Sequence, residues 1–267
     1  MKDVKNQLWD NVLLVREKSP LVENITNYVV MNNTANALLA AGASPIMAHC
    51  KDEMEDLVKI SSSVVINIGT LDKPWIESML TAAYAANRAG KRWVLDPVGA
   101  GASRLRNLTV DQLVNLKPTV VRGNAGEILS AAKFDAASKG VDSLVSSEVA
   151  FEGAIQLQKQ TGGVVCISGT EDYLVDENRL LILSNGDPLM TKVTGLGCTA
   201  TALIGAFIAV GENPLLATAA AVSMLNIAAE LALAKSSGPG SLQMNLLDEL
   251  YNLSETDFLS RLKIEIK

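Results

Sequence analysis

The sequence predicts an α/β fold with a mostly parallel central sheet and helices on both faces, three layers in all. Short runs rich in valine and isoleucine alternate with helix-patterned segments, the pattern of right-handed βαβ units on a parallel sheet. Hydrophobic residues make up 48% of the 267-residue chain and charged residues only 19%. That balance excludes disorder and suits strands buried on both faces. No linker-like or low-complexity stretch divides the chain and no internal repeat is visible, so residues 1–267 are expected to form one domain.

Taken in order, residues 1–20 are amphipathic and charged, which does not fit a secretory signal. Strands are expected over residues 45–48, 64–68, 93–96, 119–122 and 164–168. The intervening helices are expected over 29–41, 54–60, 74–89, 110–116, 125–133 and 148–160. Gly42, Gly90 and the Gly162-Gly163 pair supply stops, and Pro74 suits a first helical turn, where its missing N–H costs nothing. Residues 172–193 break the rhythm. Tyr173-Leu174-Val175 and residues 180–183 flank Asp176-Glu177-Asn178, so a β-hairpin is expected there. A glycine turn at 194–198 and two or three helices follow, with Gly238-Pro239-Gly240 as a loop between the last two.

The net charge of −6 and the lack of a basic stripe argue against nucleic acid or an anionic membrane as partner. Residues 198–234 are the most apolar region. Gly211-Glu212-Asn213-Pro214 interrupts them, and each half falls near or below the roughly 20 apolar residues that span a bilayer, so buried helices are expected. Cys50, Cys166 and Cys198 cannot all pair with one another and match no zinc spacing. A reducing, cytoplasmic setting is the expectation.

The run Thr194-Gly195-Leu196-Gly197-Cys198-Thr199-Ala200 is the most informative. Gly195 and Gly197 let the backbone approach a bound group, and the first-turn N–H groups of the following helix suit an anion. In that turn Cys198 is either a plain buried small residue or a thiol whose thiolate the helix end stabilises, set to face a reacting hydroxyl. Ligands of open parallel sheets collect beyond the carboxyl ends of the strands. Asn67-Ile68-Gly69-Thr70, Asp96-Pro97-Val98-Gly99-Ala100-Gly101, Arg122-Gly123-Asn124-Ala125-Gly126-Glu127 and Ser168-Gly169-Thr170 all fall there.

Each has a plainer reading. Asn124 and Glu127 form a capping-box pattern, or Glu127 holds Mg²⁺ through water. Arg122 makes a surface ion pair, or counters phosphate charge with its fork of donors. Asp96 before Pro97 forms a turn, or serves a ligand that Gly99 and Gly101 admit. His49 reads as a polar loop residue, Met47 more readily as core than as ligand wall, and Cys50 and Cys166 as structural. No Gly-x-Ser-x-Gly elbow is present.

Together these loops resemble the ribokinase-like superfamily and, within it, the hydroxyethylthiazole kinase family of thiamine salvage, over nearly the whole chain. The resemblance is carried by residues 19–27 (SPLVENITN), 41–47 (AGASPIM), 67–71 (NIGTL), the Asp96 and Arg122 loops, and the 194–198 turn. The Asn-x-x-Glu element is shared across the superfamily. The N-terminal block with Met47, and cysteine where most relatives place aspartate, are specific to the thiazole kinases. The resemblance implies ATP- and Mg²⁺-dependent phosphorylation of the hydroxyl of hydroxyethylthiazole. Met47, Gly195 and Asn24 would line the thiazole pocket, and Arg122 and Ser168 would contact ATP. Asp96 and Glu127 would serve the metal, the backbone of Gly195, Leu196, Gly197 and Cys198 would form the anion hole, and Cys198 would stand beside the acceptor hydroxyl. A homotrimer with sites between subunits is implied too. Leu196 stands where a smaller residue is the family's habit, and Ser168 where threonine is common. The competing readings are a hydroxymethylpyrimidine-type kinase, a nucleotide-dependent hydro-lyase and an inactive nucleotide-binding subunit.

Overall fold

The structure, a computed structural model, describes residues 2–133 and 147–267. The rest of the expected single domain lies outside the described residues. Helix α1 (Lys2–Lys18) leads into β1 (Leu21–Ile25), α2 (Met31–Ala41), β2 (Ser44–Ile46), α3 (Met54–Ile60) and β3 (Ser63–Asn67). Then come α4 (Lys73–Arg88), β4 (Trp93–Asp96), α5 (Arg104–Val114), β5 (Val120–Asn124), α6 (Ala125–Ala131), α7 (Ser147–Thr161) and β6 (Val164–Ser168). The chain closes with β7 (Asp172–Val175), β8 (Leu180–Leu183), α8 (Leu196–Val210), α9 (Pro214–Leu233), α10 (Pro239–Asn252), α11 (Glu255–Arg261) and β9 (Ile264–Ile266).

Among the described residues the nine strands form one sheet in the order β2-β1-β3-β4-β5-β6-β7-β8-β9. The first six are parallel, and β7, β8 and β9 add antiparallel. Strand alternation sorts the core into two layers. Val22, Val65, Val94, Val120 and Cys166 bury with α1, α2 and α8–α11. Ile25, Val64, Ile66, Leu95, Val121 and Val165 bury with α3–α7. This is the three-layer, mostly parallel arrangement expected of the ribokinase-like fold.

Local signals account for most boundaries. The Asp72 side chain accepts the Trp75 N–H and puts Pro74 in the first turn of α4, as Pro74 predicts. The 172–193 hairpin forms as β7 and β8, its turn closed by Asp176 Oδ1 accepting the N–H groups of Asn178 and Arg179. Helix α9 is long and apolar enough to cross a membrane by length and composition, yet most of it is buried inside the protein.

Several expectations are corrected. Strand β1 was not foreseen, because the central strand Leu21–Ile25 carries two polar residues, Glu23 and Asn24, inside the sheet. The C-terminal β9 was also missed; it is three residues long and pairs only at the sheet edge. Helix α5 starts at Arg104 rather than 110, since Ser103 caps it by accepting the Arg106 N–H. Four helices follow the glycine turn, not two or three, and Pro239 opens α10 rather than sitting mid-loop.

Glu23 is fully buried, and neither carboxylate oxygen makes a well-formed hydrogen bond. Burial pushes its pKa up from 4.5 to about 8, partly opposed by the Ala48 backbone N–H and reinforced by the charge of Glu53. The folded protein therefore holds this proton to higher pH than the unfolded chain. Its contribution is full below about 4.5 and is lost as pH rises through about 8, at up to about 1.4 kcal/mol per pH unit. Urea titrations across that window are expected to show stability falling with pH in the native protein and a flatter profile for Glu23→Gln. An unchanged slope in the variant would assign the pH dependence elsewhere.

Candidate active site

The alternation that builds the core also aims the site. Two residues beyond Val65, Val94, Val120 and Cys166 stand Asn67, Asp96, Arg122 and Ser168. Each lies at or near the carboxyl end of its strand and shares the face covered by α8. Four separate loops thus deliver polar side chains to the N-terminal end of one apolar helix.

Asp96 is buried and accepts from Asn67 Nδ2 (2.7 Å) and Thr201 Oγ1 (2.8 Å), both on Oδ2. Among the described residues no hydrogen bond reaches Oδ1. Burial raises its pKa to about 6, against the pull of Arg122 and these two bonds, with Glu127 adding repulsion. Asn67 is fixed in turn, because its Oδ1 accepts from Asn27 Nδ2 (3.0 Å) and the Gly69 N–H (2.9 Å).

At the glycine turn, Gly195 takes φ +82° and a Cβ there would collide with Val30, so the turn requires glycine. The first N–H returned to the chain is that of Thr199, donated to the Gly195 carbonyl (2.8 Å). No side chain caps α8, so the N–H groups of Leu196, Gly197 and Cys198 remain open. Arg122 lies against this end. A Cβ on Gly197 would stand 2.7 Å from Arg122 Nη1, and the buried Arg122 Nε has no partner. A half-buried guanidinium with a buried, unused Nε donor, beside open helix N–H groups, can receive an anion with several oxygens.

Arg122, Ser168, Leu196 and Gly197 line a cavity of about 560 Å³, together with Gly169, Asp172, Met190 and Asn226. Leu196 is buried in the α8-side core and edges this cavity, so its bulk bears on the Arg122 side of the turn. The Ser168 hydroxyl is 3.3 Å from the Gly123 carbonyl.

The surroundings of Cys198 bear on its two readings. Burial and the charge of Asp96 raise its pKa to about 11, outweighing hydrogen bonds from Asn67 and Asn27 and the charge of Arg122. Burial thus favours the neutral thiol over the thiolate that the helix end would stabilise, with Asn27 Nδ2 3.5 Å from its Sγ.

Glu127 makes the capping box: Oε2 accepts the Asn124 N–H (2.9 Å) and the Asn124 side chain accepts the Glu127 N–H (3.0 Å). Its Oε1 also accepts the Gly99 N–H (2.9 Å), tying the Asp96 loop to α6. Among the described residues no cluster of three or more His, Cys, Asp or Glu side chains can hold a metal alone. The donor set still fits Mg²⁺, which keeps several waters and binds through one or two carboxylates plus phosphate oxygens. Asp96 Oδ1 is free for it, and Glu127, engaged on both oxygens, would act through water.

Asn24 and Met47 are not joined to Cys198 by any hydrogen bond or by this cavity. Asn24 donates to the Val22 and Ile46 carbonyls, leaving a buried Oδ1 unpartnered, and Met47 packs against the α8-side core. His49 stacks with Trp75 at 4.6 Å and meets Tyr28 edge-on, with Nδ1 buried and unpartnered. Asn27 and Asn67, which the sequence marks only within longer runs, and Thr201, Asp172 and Asn226, which it does not single out, complete the surroundings. The Thr at 201, one turn into α8 from Gly197, is the one with a local signal.

The family model described as "HK: Hydroxyethylthiazole kinase family" matches residues 12–256. A hydroxyethylthiazole kinase of Leptospira biflexa is 56% identical over 252 residues, covering 94% of each chain. One from Syntrophus aciditrophicus is 48% identical over 266 residues, covering 99% of this chain and 98% of the other. The solved structure of a hydroxyethylthiazole kinase protein from Pyrococcus horikoshii OT3 is similar at TM-score 0.90 and 41% identity, over all of both chains. A Staphylococcus aureus pyridoxal kinase shares the fold at TM-score 0.67 and 17% identity, covering 92% of this chain and 97% of that one.

Gly197→Ala probes the anion site. The clash falls on the flexible end of Arg122, so the fold is expected to survive while the guanidinium moves. ADP binding measured by calorimetry should weaken about tenfold, the value of one charge-assisted hydrogen bond. Unchanged affinity would remove Arg122 from the site.

Proposed function

The chain belongs to the hydroxyethylthiazole kinase family, and from that premise we propose that it transfers the γ-phosphoryl group of ATP to the hydroxyl of hydroxyethylthiazole, forming the monophosphate in thiamine salvage. Family membership makes it a kinase, a transferase with the ribokinase-like fold. The observation that carries the finer reading is the unpartnered Arg122 Nε beside the open N–H groups at the start of α8.

In this reading Arg122 and Ser168 hold the phosphates of ATP. The backbone of Gly195, Leu196, Gly197 and Cys198 receives the negative charge of the transferring group, where fixed dipoles act without reorganisation. Asp96, and Glu127 through water, would hold Mg²⁺, which would supply charge neutralisation for the phosphates. Asn67 and Thr201 keep Asp96 Oδ2 occupied and so point Oδ1 at the ligand. Met47, Asn24 and Gly195 bound the thiazole, with its hydroxyl beside Cys198. Phosphoryl transfer passes through a loose transition state, in which positioning and charge outweigh base strength. A neutral thiol at 198 is compatible with that chemistry.

The rest of the reading is coarser. Residues 1–267 act as one kinase domain, for which the single sheet is the support. The protein works as a homotrimer with active sites between subunits; exposed Tyr28 and Val29 just before α2 offer apolar surface beside the Asn27 end of the site, and Leu39 adds more in the last turn of that helix. The cytoplasm suits its free cysteines, and the acidic balance suits neither nucleic acid nor membrane.

An ADP-release assay with Mg²⁺ tests the proposal, offering hydroxyethylthiazole, hydroxymethylpyrimidine and pyridoxal separately. Turnover is expected with hydroxyethylthiazole. Turnover with either other alcohol alone, or with none, would contradict it.

A further inference from the structure

The cavity beside Arg122 contains a buried carboxylate that the reaction described above does not use. Asp172 opens β7 and lines the cavity. Its Oδ1 accepts the Gly169 N–H (3.3 Å), and its Oδ2 accepts Asn226 Nδ2 (2.8 Å) from α9. Gly169 belongs to the Ser168-Gly169-Thr170 turn, which lines the same cavity. Burial raises the pKa of Asp172 and the nearby Arg122 charge opposes that rise. One side chain therefore meets the turn after β6, the helix layer behind it and the field of the guanidinium.

Electrostatics and geometry make opposite demands here. A negative charge in a phosphate-binding cavity repels phosphate, so a carboxylate that did nothing else would weaken nucleotide binding. A carboxylate that pins the backbone around the ligand strengthens it, because loose turns lose affinity to ordering. Asn226 supports the second role. It is buried, reaches Asp172 from 54 positions along the chain, and spends its amide on that one bond. Charge-assisted bonds of this kind are the stronger ones.

We propose that Asp172, held by Asn226, is a positioning residue for the nucleotide: it fixes the Ser168-Gly169-Thr170 turn, and with it the seat of Arg122, in the geometry that receives the phosphates. This rests on the reading of the cavity as the ATP site. The sign of the effect separates the two roles, since neutralising a merely repulsive charge tightens binding and releasing a positioning residue loosens it.

The test uses the intact chain. Calorimetric titration with ADP is done first on the native protein, then on Asp172→Asn and Asn226→Ala, followed by KM values for ATP and for hydroxyethylthiazole. ADP affinity is expected to fall about tenfold in both variants, with KM for ATP rising in parallel and KM for hydroxyethylthiazole unchanged. A purely structural disturbance would move both KM values together, and that result would overturn the proposal. Tighter or unchanged ADP binding in Asp172→Asn would overturn it as well. Should Asn226→Ala fail to fold, Asp172→Asn decides alone, since the amide keeps the shape of the carboxylate. A native protein that binds no ADP would overturn the ATP-site reading and this proposal together, whereas a variant-only failure leaves that reading standing.

Discussion

The site depends on one arrangement: a half-buried guanidinium, its Nε buried and unpartnered, pressed against the open end of an apolar helix. Two positive features, Arg122 and the N-terminus of α8, lie side by side with no ion pair to Arg122 among the described residues. Bringing such features together out of water is unfavourable until something negative arrives. Asp96 and Asp172 offset part of the charge at a distance, and each has its pKa raised by its own burial. In the proposed function the phosphates of ATP relieve the remainder.

The fold makes this contact through the absence of side chains. Gly205 lets α8 lie on β3, since a Cβ there would strike Val65. Gly195 sets the left-handed turn that starts the helix, and Gly197 leaves room for Arg122. Three glycines thus bring one helix down onto the sheet and open its first turn. Period-two alternation does the rest, putting Asn67, Asp96, Arg122 and Ser168 on the α8 face because Val65, Val94, Val120 and Cys166 are committed to it. The hydrophobic pattern and the chemistry are therefore one pattern read at different strand positions.

This explains what the sequence revealed and what it hid. Trp93–Asp96 and Val164–Ser168 are read from sequence to the residue, because their apolar runs stop at the polar residues Asp96 and Ser168. The Asn124–Glu127 capping box is local, and so legible. The Asn27–Asn67–Asp96 chain is not, since its members lie 40 and 29 positions apart and meet only when β1, β3 and β4 pair. Asp172 and Asn226 escape for the same reason. The two readings of Cys198 could not be separated from sequence, because the helix end is a local feature while burial and Asp96 are not. Strand β1 was missed because a buried strand holding Glu23 and Asn24 contradicts the apolar pattern that marks its neighbours.

The central claim is that Arg122 and the first turn of α8 together receive the phosphates. Heteronuclear NMR of the ¹⁵N-labelled protein during titration with ADP tests it most directly. The account predicts that Arg122 Nε–H and the N–H groups of Leu196, Gly197 and Cys198 shift together, saturate at one affinity and become protected from exchange. If ADP binds while these four resonances stay in place, the phosphates go elsewhere and the account is wrong.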